Sequence, residues 1–356
     1  TAYFTEILLP ITESVEIAAA VRYEDYGGNT GSTTDPKLTA KWQIAAPLAL
    51  RASFGTSFQA PTTFQTSQSQ GSEFLSDPAG LDAQGNLICR PAGSVSPGNN
   101  TTIFVGGDEG LKPQTAENMN LGLVYDPTSS ISLALDYWSF EYVDLIRPNA
   151  NAQSLVDTDC RSDGIPNDPR IKRSLNGTLQ SVTLSFINTG KLVTRGVDLQ
   201  GTYQLPVTSF GDFTLFGALS YVTDFEITNA SGTKTNGAGS RNFGNPFPSI
   251  PELRANVRMS WAYNDHSAFI AARYIDGYSN DQPLVPLPID SWTSVDLRYN
   301  YNFGDLFGGK TSVSVGALNV LDKDPPSLGK DQRPGYDDEV ADIRGRTIYL
   351  ELTAKF

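Results

Sequence analysis

Apolar and polar residues alternate one for one through long stretches of this chain. At its end Ile348, Leu350, Leu352, Ala354 and Phe356 alternate with Thr347, Tyr349, Glu351, Thr353 and Lys355. Val295, Leu297, Tyr299, Tyr301 and Phe303 alternate with Ser294, Asp296, Arg298, Asn300 and Asn302. Ile131, Leu133, Leu135 and Tyr137 alternate with Ser132, Ala134, Asp136 and Trp138, and stretches near 15–23, 38–44 and 253–261 read alike. Successive side chains of a strand point to opposite faces, so period two predicts strands with one apolar and one polar face.

A soluble sandwich alternates too, but three features favour a membrane barrel. The segments run to about ten residues or more, beyond the usual five or six of a sandwich strand. Aromatic residues gather at segment ends, at Tyr125, Tyr203, Trp261, Tyr263, Tyr301, Phe303 and Phe356, where a bilayer interface would meet them. Connections alternate short and long. The short ones are Ala46-Pro47, Asp126-Pro127-Thr128, Pro206 to Asp212, Asn264-Asp265 and Gly304 to Gly309; the long ones span roughly 57–115, 144–180, 227–250, 279–289 and 322–343. The expected fold is all-β: an antiparallel transmembrane β-barrel wall of about thirteen strands, with 181–205 as one long strand. An odd strand number does not close a single-chain bacterial barrel, so further strands are expected upstream of Thr1.

The polar face carries both signs: Glu16, Arg22, Lys41, Arg51, Asp136, Asp198, Arg254, Arg258, Arg273, Asp296, Arg298 and Glu351. Such a face suits a wet lumen wall with solvated or paired charges, or a wall that grips a polar plug. Overall, 39 acidic against 26 basic residues give a net charge of −13, which argues against nucleic acid as a partner. No apolar run approaches the roughly 18 residues of a membrane-spanning helix, and a barrel needs none. Cys89 and Cys160 lie in the two longest loops and outside any CxxC. Zinc is therefore unsupported, and in an oxidising compartment a disulfide is expected.

Four segments, in order, carry a resemblance. Gly110-Leu111-Lys112-Pro113-Gln114-Thr115-Ala116-Glu117-Asn118 resembles the NLKPE(T/K)(S/A)xN segment of TonB-dependent outer-membrane transporters. Arg51 to Pro61 resembles that family's RxSxGxxFRAP, with Gln59 where the pattern has Arg. Ile187-Asn188-Thr189-Gly190-Lys191 to Leu199 is similar to NxGKAxxxGVEL, and Gly316 to Asp324 to GxxNLFDKxY. The resemblance implies a plugged barrel of about 22 strands. It makes residues 1–356 a partial TonB-dependent-receptor β-barrel domain, its long external loops at about 57–115 and 144–180, with the N-terminal plug, TonB box and first strands outside it. It further implies an outer membrane of a Gram-negative bacterium as the location. The implied partners are the TonB-ExbB-ExbD complex (through the missing part), outer-membrane lipid including lipopolysaccharide, and a small-molecule nutrient. Import of a scarce nutrient is the expected function, with a ferric siderophore first and an oligosaccharide as the alternative. A passive porin-like channel is the rival of another class.

Candidate ligand contacts are loop aromatics and arginines: Phe74, Arg90, Phe104, Arg161, Tyr278, Trp292 and Tyr336. Stiff rings bury much area, and guanidinium forks onto carboxylate or catecholate oxygens. Other motifs lead elsewhere. Gly304 to Thr311 matches GxxxxGK[ST], but Ser312 to Ala317 alternates as a strand where a phosphate loop needs a helix. His266, the single histidine, is read as an exposed residue of the short turn Asn264-Asp265-His266 and completes no Ser-His-Asp set, so no enzyme is expected. Asp157, Asp159, Asp163 and Asp168 cluster near Gly164 without EF-hand spacing, because Arg161 takes a ligand position; solvated acids are the default, and a loop-bound calcium is the one cofactor considered.

Overall fold

The structure is a computed structural model. It describes all residues except 29–30, 92–97, 109, 162–163, 230–231, 246, 282–287, 307, 329–334 and 356, and no side chain at 161, 189 or 306. In chain order the elements are β1 (Ala2–Pro10), β2 (Val15–Gly27), β3 (Gly31–Ala45), β4 (Leu48–Gln59), α1 (Thr63–Thr66), β5 (Ser69–Ser76), β6 (Ala79–Leu81), β7 (Leu87–Cys89), β8 (Gly98–Gly106), β9 (Gln114–Thr128) and β10 (Ile131–Pro148). Then follow α2 (Ala152–Arg161), β11 (Ile171–Arg173), β12 (Leu179–Gln204), β13 (Asp212–Thr228), β14 (Lys234–Asn236), β15 (Leu253–Tyr263), β16 (His266–Ile275), β17 (Trp292–Leu306), β18 (Gly309–Leu318) and β19 (Thr347–Lys355).

Thirteen of these strands form one antiparallel barrel wall, in the order β1-β2-β3-β4-β9-β10-β12-β13-β15-β16-β17-β18-β19. Sequence neighbours pair throughout once the loop strands are set aside, as the short and long connections require. The long strand expected at 181–205 is β12. Two turns shift from their expected places. Asp126 to Thr128 stay in β9, because the Asp126 N–H donates to Pro47 O at 2.8 Å and Thr128 pairs with Ile131. The glycine-rich turn is tighter than expected, because Asp305 pairs with Lys310 and Leu306 with Gly309, and Gly308 stands at φ +81. A strand follows directly, so no helix N-terminus faces that turn.

Register makes the outer face continuous. Leu50 pairs with Leu123, Leu123 with Leu135, Leu135 with Leu199, and Leu199 with Leu219. Further round, Leu215 meets Met259, Met259 meets Ile270, Ile270 meets Leu297, and Val315 meets Leu350. Several of these side chains are open to the surroundings, Leu135 being 44% and Leu350 76% exposed, and the rest are half-buried. In water such a surface would be costly, whereas hydrocarbon accepts it. Among the described residues no helix is long and apolar enough to cross a membrane, which says nothing about crossing by strands. Tyr125, Tyr203, Tyr263 and Phe303 ring the short-turn end, each at least 40% exposed; Trp261 and Tyr301 are half-buried there, and Phe356 lies outside the described residues. His266 opens β16 inside this belt, its ring 4.9 Å from that of Tyr301 and its Nδ1 2.5 Å from the Tyr299 hydroxyl. It is a packed belt residue rather than a free turn residue.

The buried apolar core sits at the long-loop end. A wall strand has one face toward lipid and one toward a polar interior, so it buries little of either. The loops must make their own cores, and they do so around Leu75, Val156 and Val182, around Phe225 and Phe247, and around Tyr278 and Leu328.

Candidate functional site

The connections from β4 to β9 and from β10 to β12 fold as one unit above the wall. β12 continues upward past the wall, where β8 joins it in parallel (Ser181 opposite Thr102 to Ser185 opposite Gly106); β5 then pairs with β8 and β11 with β12. The helix α2 packs Leu155 and Val156 onto Leu75, Ile103 and Val182. Cys89 and Cys160 form the expected disulfide, joining β7 to α2 with their Cα atoms 5.4 Å apart. Beneath it, the Arg173 guanidinium donates to Asp77 at 2.7 and 2.9 Å and to Asp159 at 2.9 Å. The three side chains are 5%, 3% and 1% exposed. Ions so far from water persist only because every charge has a partner and a good fork geometry.

The acidic cluster has internal partners. Asp159 also accepts from the Asp168 N–H at 2.7 Å, and Asp157 from Gln153 Nε2 at 2.9 Å. Asp168 accepts from Arg170 at 2.9 and 2.6 Å, and this hydrogen bond holds its carboxyl below the usual aspartate range. Asp163 lies outside the described residues. The positive charge that answers these acids is Arg170 and Arg173, neither of which stood out in the sequence.

Two motif segments meet at the base of this unit. Asn188 accepts from the Lys112 N–H at 2.7 Å and donates through Nδ2 to Lys112 O and Asp144 O, both at 2.8 Å. Pro113 interrupts backbone pairing there, and the Asn188 amide replaces it, as amide donor and acceptor can. The loop entrance is thus tied to the wall where Leu111, Ile146 and Phe186 pack together.

The loops near 229–252, 276–291 and 319–346 form a second layer. Tyr278, 6% exposed, donates to Asp337 Oδ2 at 2.6 Å, and Ser249 Oγ donates to the same carboxylate oxygen at 2.7 Å. The Ser249 N–H donates to Glu339 at 2.8 Å. Burial, with the hydrogen bond to Asp337 second, pushes the Tyr278 phenol far above the usual tyrosine range.

The candidate ligand contacts therefore fall into two groups. Phe74, Arg90 and Phe104 belong to the first unit. Phe74 is 43% exposed, Phe104 is half-buried on β8, and Arg90 lies over Gly80 with Nε donating to Ala79 O at 3.0 Å. Tyr278, Trp292 and Tyr336 belong to the second layer. Trp292 Nε1 donates to Lys323 O at 3.3 Å, Tyr336 is bridged to Ser327, and Tyr278 faces Asp337 rather than open space. Arg161 closes α2, and its side chain lies outside the described residues.

On the inner face the charges are largely paired. Arg51 on β4 reaches Asp136 on β10 across β9, at 2.5 Å from Nη2 and 3.1 Å from Nε. Gly122 stands between them in register, and a Cβ there would sit 2.5 Å from Arg51 Nε. Arg273 meets Asp296 at 2.6 Å and Arg298 meets Glu351 at 3.1 Å. Arg258 lies 4.1 Å over the Phe269 ring. Above Asp136, on the same face of β10, stand Trp138, Phe140 and Tyr142, all half-buried. Sequence reading missed this row; its signal was three aromatic residues at alternate positions on the polar face.

Comparison with known proteins gives a family and a fold. Residues 1–320 match the family model "TonB dependent receptor-like, beta-barrel". No curated protein matches the sequence. Among solved structures, a variant of the ferric enterobactin receptor PfeA from Pseudomonas aeruginosa in complex with enterobactin aligns at TM-score 0.63 and 17% identity, over 100% of this chain and 45% of its own. The siderophore receptor PirA from Acinetobacter baumannii aligns at TM-score 0.63 and 17% identity, over 99% and 45%. The copper transporter OprC aligns at TM-score 0.59 and 15% identity, over 99% and 47%. The chain thus spans a little under half the length of these proteins.

Proposed function

This chain belongs to the TonB-dependent receptor β-barrel family, and from that premise we propose that it serves the energised import of a scarce nutrient across the outer membrane, a ferric siderophore being the first assignment. Proteins of this family are outer-membrane receptors that work with TonB, not enzymes. The observation that carries the reading is the stapled loop unit: two long loops share a core, a disulfide and a buried ion triad over the mouth of the wall. A diffusion pore needs only an opening, whereas capture from dilute solution needs a preorganised surface. Phe74, Arg90 and Phe104 on this unit, with Trp292 and Tyr336, are the ligand contacts we assign; Tyr278 holds Asp337 within the second layer. The apolar belt and its aromatic rim support outer-membrane lipid, including lipopolysaccharide, as the surroundings we assign, and family membership supports TonB-ExbB-ExbD as the energy source we assign. An oligosaccharide cargo is the second reading, favoured by the aromatic row of β10 beside the Asn118 and Asn120 amides. Native mass spectrometry of the full-length receptor purified from its own membrane tests the assignment. A bound iron–siderophore mass supports it, a glycan moves it to the second reading, and a solute-free protein that binds neither discards both.

A further inference from the structure

The lipid-side face of the wall is not uniform. Across β15, β16, β17 and β18 it is hollowed into an apolar groove of about 560 Å³. Register explains the hollow. Trp261 pairs with Ala268 and Ala268 with Tyr299, while Ile270 pairs with Leu297 and Leu297 with Ala317. All of these residues belong to the outward set, so Ala268 and Ala317 stand among large side chains on one face. Where they stand the wall lacks side-chain height, and Gly316 lines the groove through its backbone alone. Met259, Trp261, Ile270, Leu297 and Tyr299 form the sides.

One end of the groove reaches the aromatic belt, where internal contacts hold its rim. The Trp261 indole N–H donates to Phe210 O at 2.7 Å, and the Tyr299 hydroxyl lies 2.5 Å from His266 Nδ1. The His266 ring is 6.4 Å from that of Trp261. Val207 and Phe210, both exposed in the adjoining turn, extend the apolar surface toward the interface. From Leu253 to Tyr301 and from Val313 to Ala317, the outward positions of these strands carry no acidic or basic side chain apart from His266. The groove lies on the face away from the lumen, where a plug does not reach, and each of its strands is paired on both sides. It is continuous with the belt that faces lipid, so hydrocarbon is the occupant that its lining accepts. A linear chain can lie on the alanine floor, whereas a second barrel, itself faced with large side chains, would rest on the sides.

We propose that this groove holds one acyl chain of a glycerophospholipid from the leaflet on the short-turn side, with the head group against the belt at His266 and Tyr301. Dispersion contacts with the alanine floor and the flanking side chains retain the chain. The rim offers an imidazole and hydroxyls but no fixed charge, so the chain rather than the head-group charge decides binding. The inference rests on the membrane placement of the belt and is independent of which solute is imported.

The test uses the full-length receptor in detergent, stripped of native lipid and followed by native mass spectrometry. The probes are dipalmitoylphosphatidylethanolamine, dipalmitoylphosphatidylglycerol and hexa-acyl lipid A. A phospholipid adduct survives collisional activation with either head group, and lipid A is not retained. Ala268→Phe and Ala317→Phe, which fill the floor, each lower the retained fraction roughly three- to tenfold. Ala52→Phe, on the lipid face of β4 away from the groove, leaves it unchanged, and heat-modifiable mobility is kept throughout. A second measurement needs no variant. Phosphatidylethanolamine with a diazirine in its acyl chain, photolysed in nanodiscs holding the unaltered receptor, concentrates its cross-links in peptides covering 257–272 and 295–317. The groove is overturned if no adduct survives, if lipid A is retained in preference, or if both filled variants retain phospholipid as before. Cross-links spread evenly round the belt, or a lipid-free dimer joined through β15–β18, overturn it equally. Retained phospholipid in a receptor without energised uptake sustains the groove and discards only the import reading.

Discussion

Replacing Arg173 by Met removes the cation at the centre of the loop unit while keeping most of its volume. Asp77 and Asp159 then face each other in a site where their side chains are 3% and 1% exposed, with nothing to balance them. Removing one partner of a buried pair costs about 3–5 kcal/mol, because a charge is left without water or counter-ion. Here two carboxylates are stranded by one substitution, so the upper part of that range applies. One factor of ten corresponds to about 1.4 kcal/mol, so at about 4–5 kcal/mol local opening of the unit becomes roughly one thousand- to four thousand-fold more frequent. Hydrogen exchange followed by mass spectrometry reads this directly. Peptides from α2, β5 and β8 lose protection together, while wall peptides from β15 and β16 keep theirs. Adding Asp77→Asn and Asp159→Asn to Arg173→Met recovers much of the loss, since no unpaired charge remains. Exchange in α2, β5 and β8 within threefold of the unaltered protein would refute the idea that the triad holds the loops together.

Other expectations follow from single contacts. Gly122→Val places a side chain between Arg51 and Asp136, separates the pair, and costs about 1–3 kcal/mol of wall stability, visible as a lower temperature for loss of heat-modifiable mobility. Tyr278→Phe leaves Asp337 with only Ser249 as a side-chain hydroxyl donor and costs about 1–2 kcal/mol, read as increased exchange in the second loop layer. Asp168 has its folded pKa lowered by the Arg170 hydrogen bond, so its contribution is complete above the ordinary aspartate pKa and is lost as pH falls through the lower folded value. The first loop unit therefore loosens below about pH 4, and Arg170→Gln removes that acid step from its exchange profile.

The wall was legible in the sequence because its cause is local. Alternation assigns each residue to a face, and a one-residue slip would place Leu123 or Leu199 inside, so register follows from pattern. Short turns then oblige sequence neighbours to pair. The loops were not legible in the same way. Parallel pairing of β8 with β12 joins residues about eighty positions apart, and no periodicity announces it. The disulfide was readable from cysteine placement, yet Arg173 was not, since an arginine in a polar loop looks the same whether exposed or buried. Tyr278 was read as a ligand contact on residue type alone; in the fold its ring is buried and its hydroxyl donates to Asp337. The β10 rings were visible in the alternation but were passed over as merely alternate to Leu135 and Tyr137. Lys112 and Asn188 carried the family motifs, and only the fold shows that one holds the other.

Uptake of iron-55 carried by a tris-catecholate siderophore tests the central claim most directly. Cells that depend on the full-length receptor for iron are compared with and without TonB, and with and without a protonophore. Accumulation that saturates at low concentration, requires this protein, and ceases on loss of TonB or of the proton gradient is the predicted result. Accumulation that rises linearly with concentration and persists without TonB would contradict import and leave a passive channel.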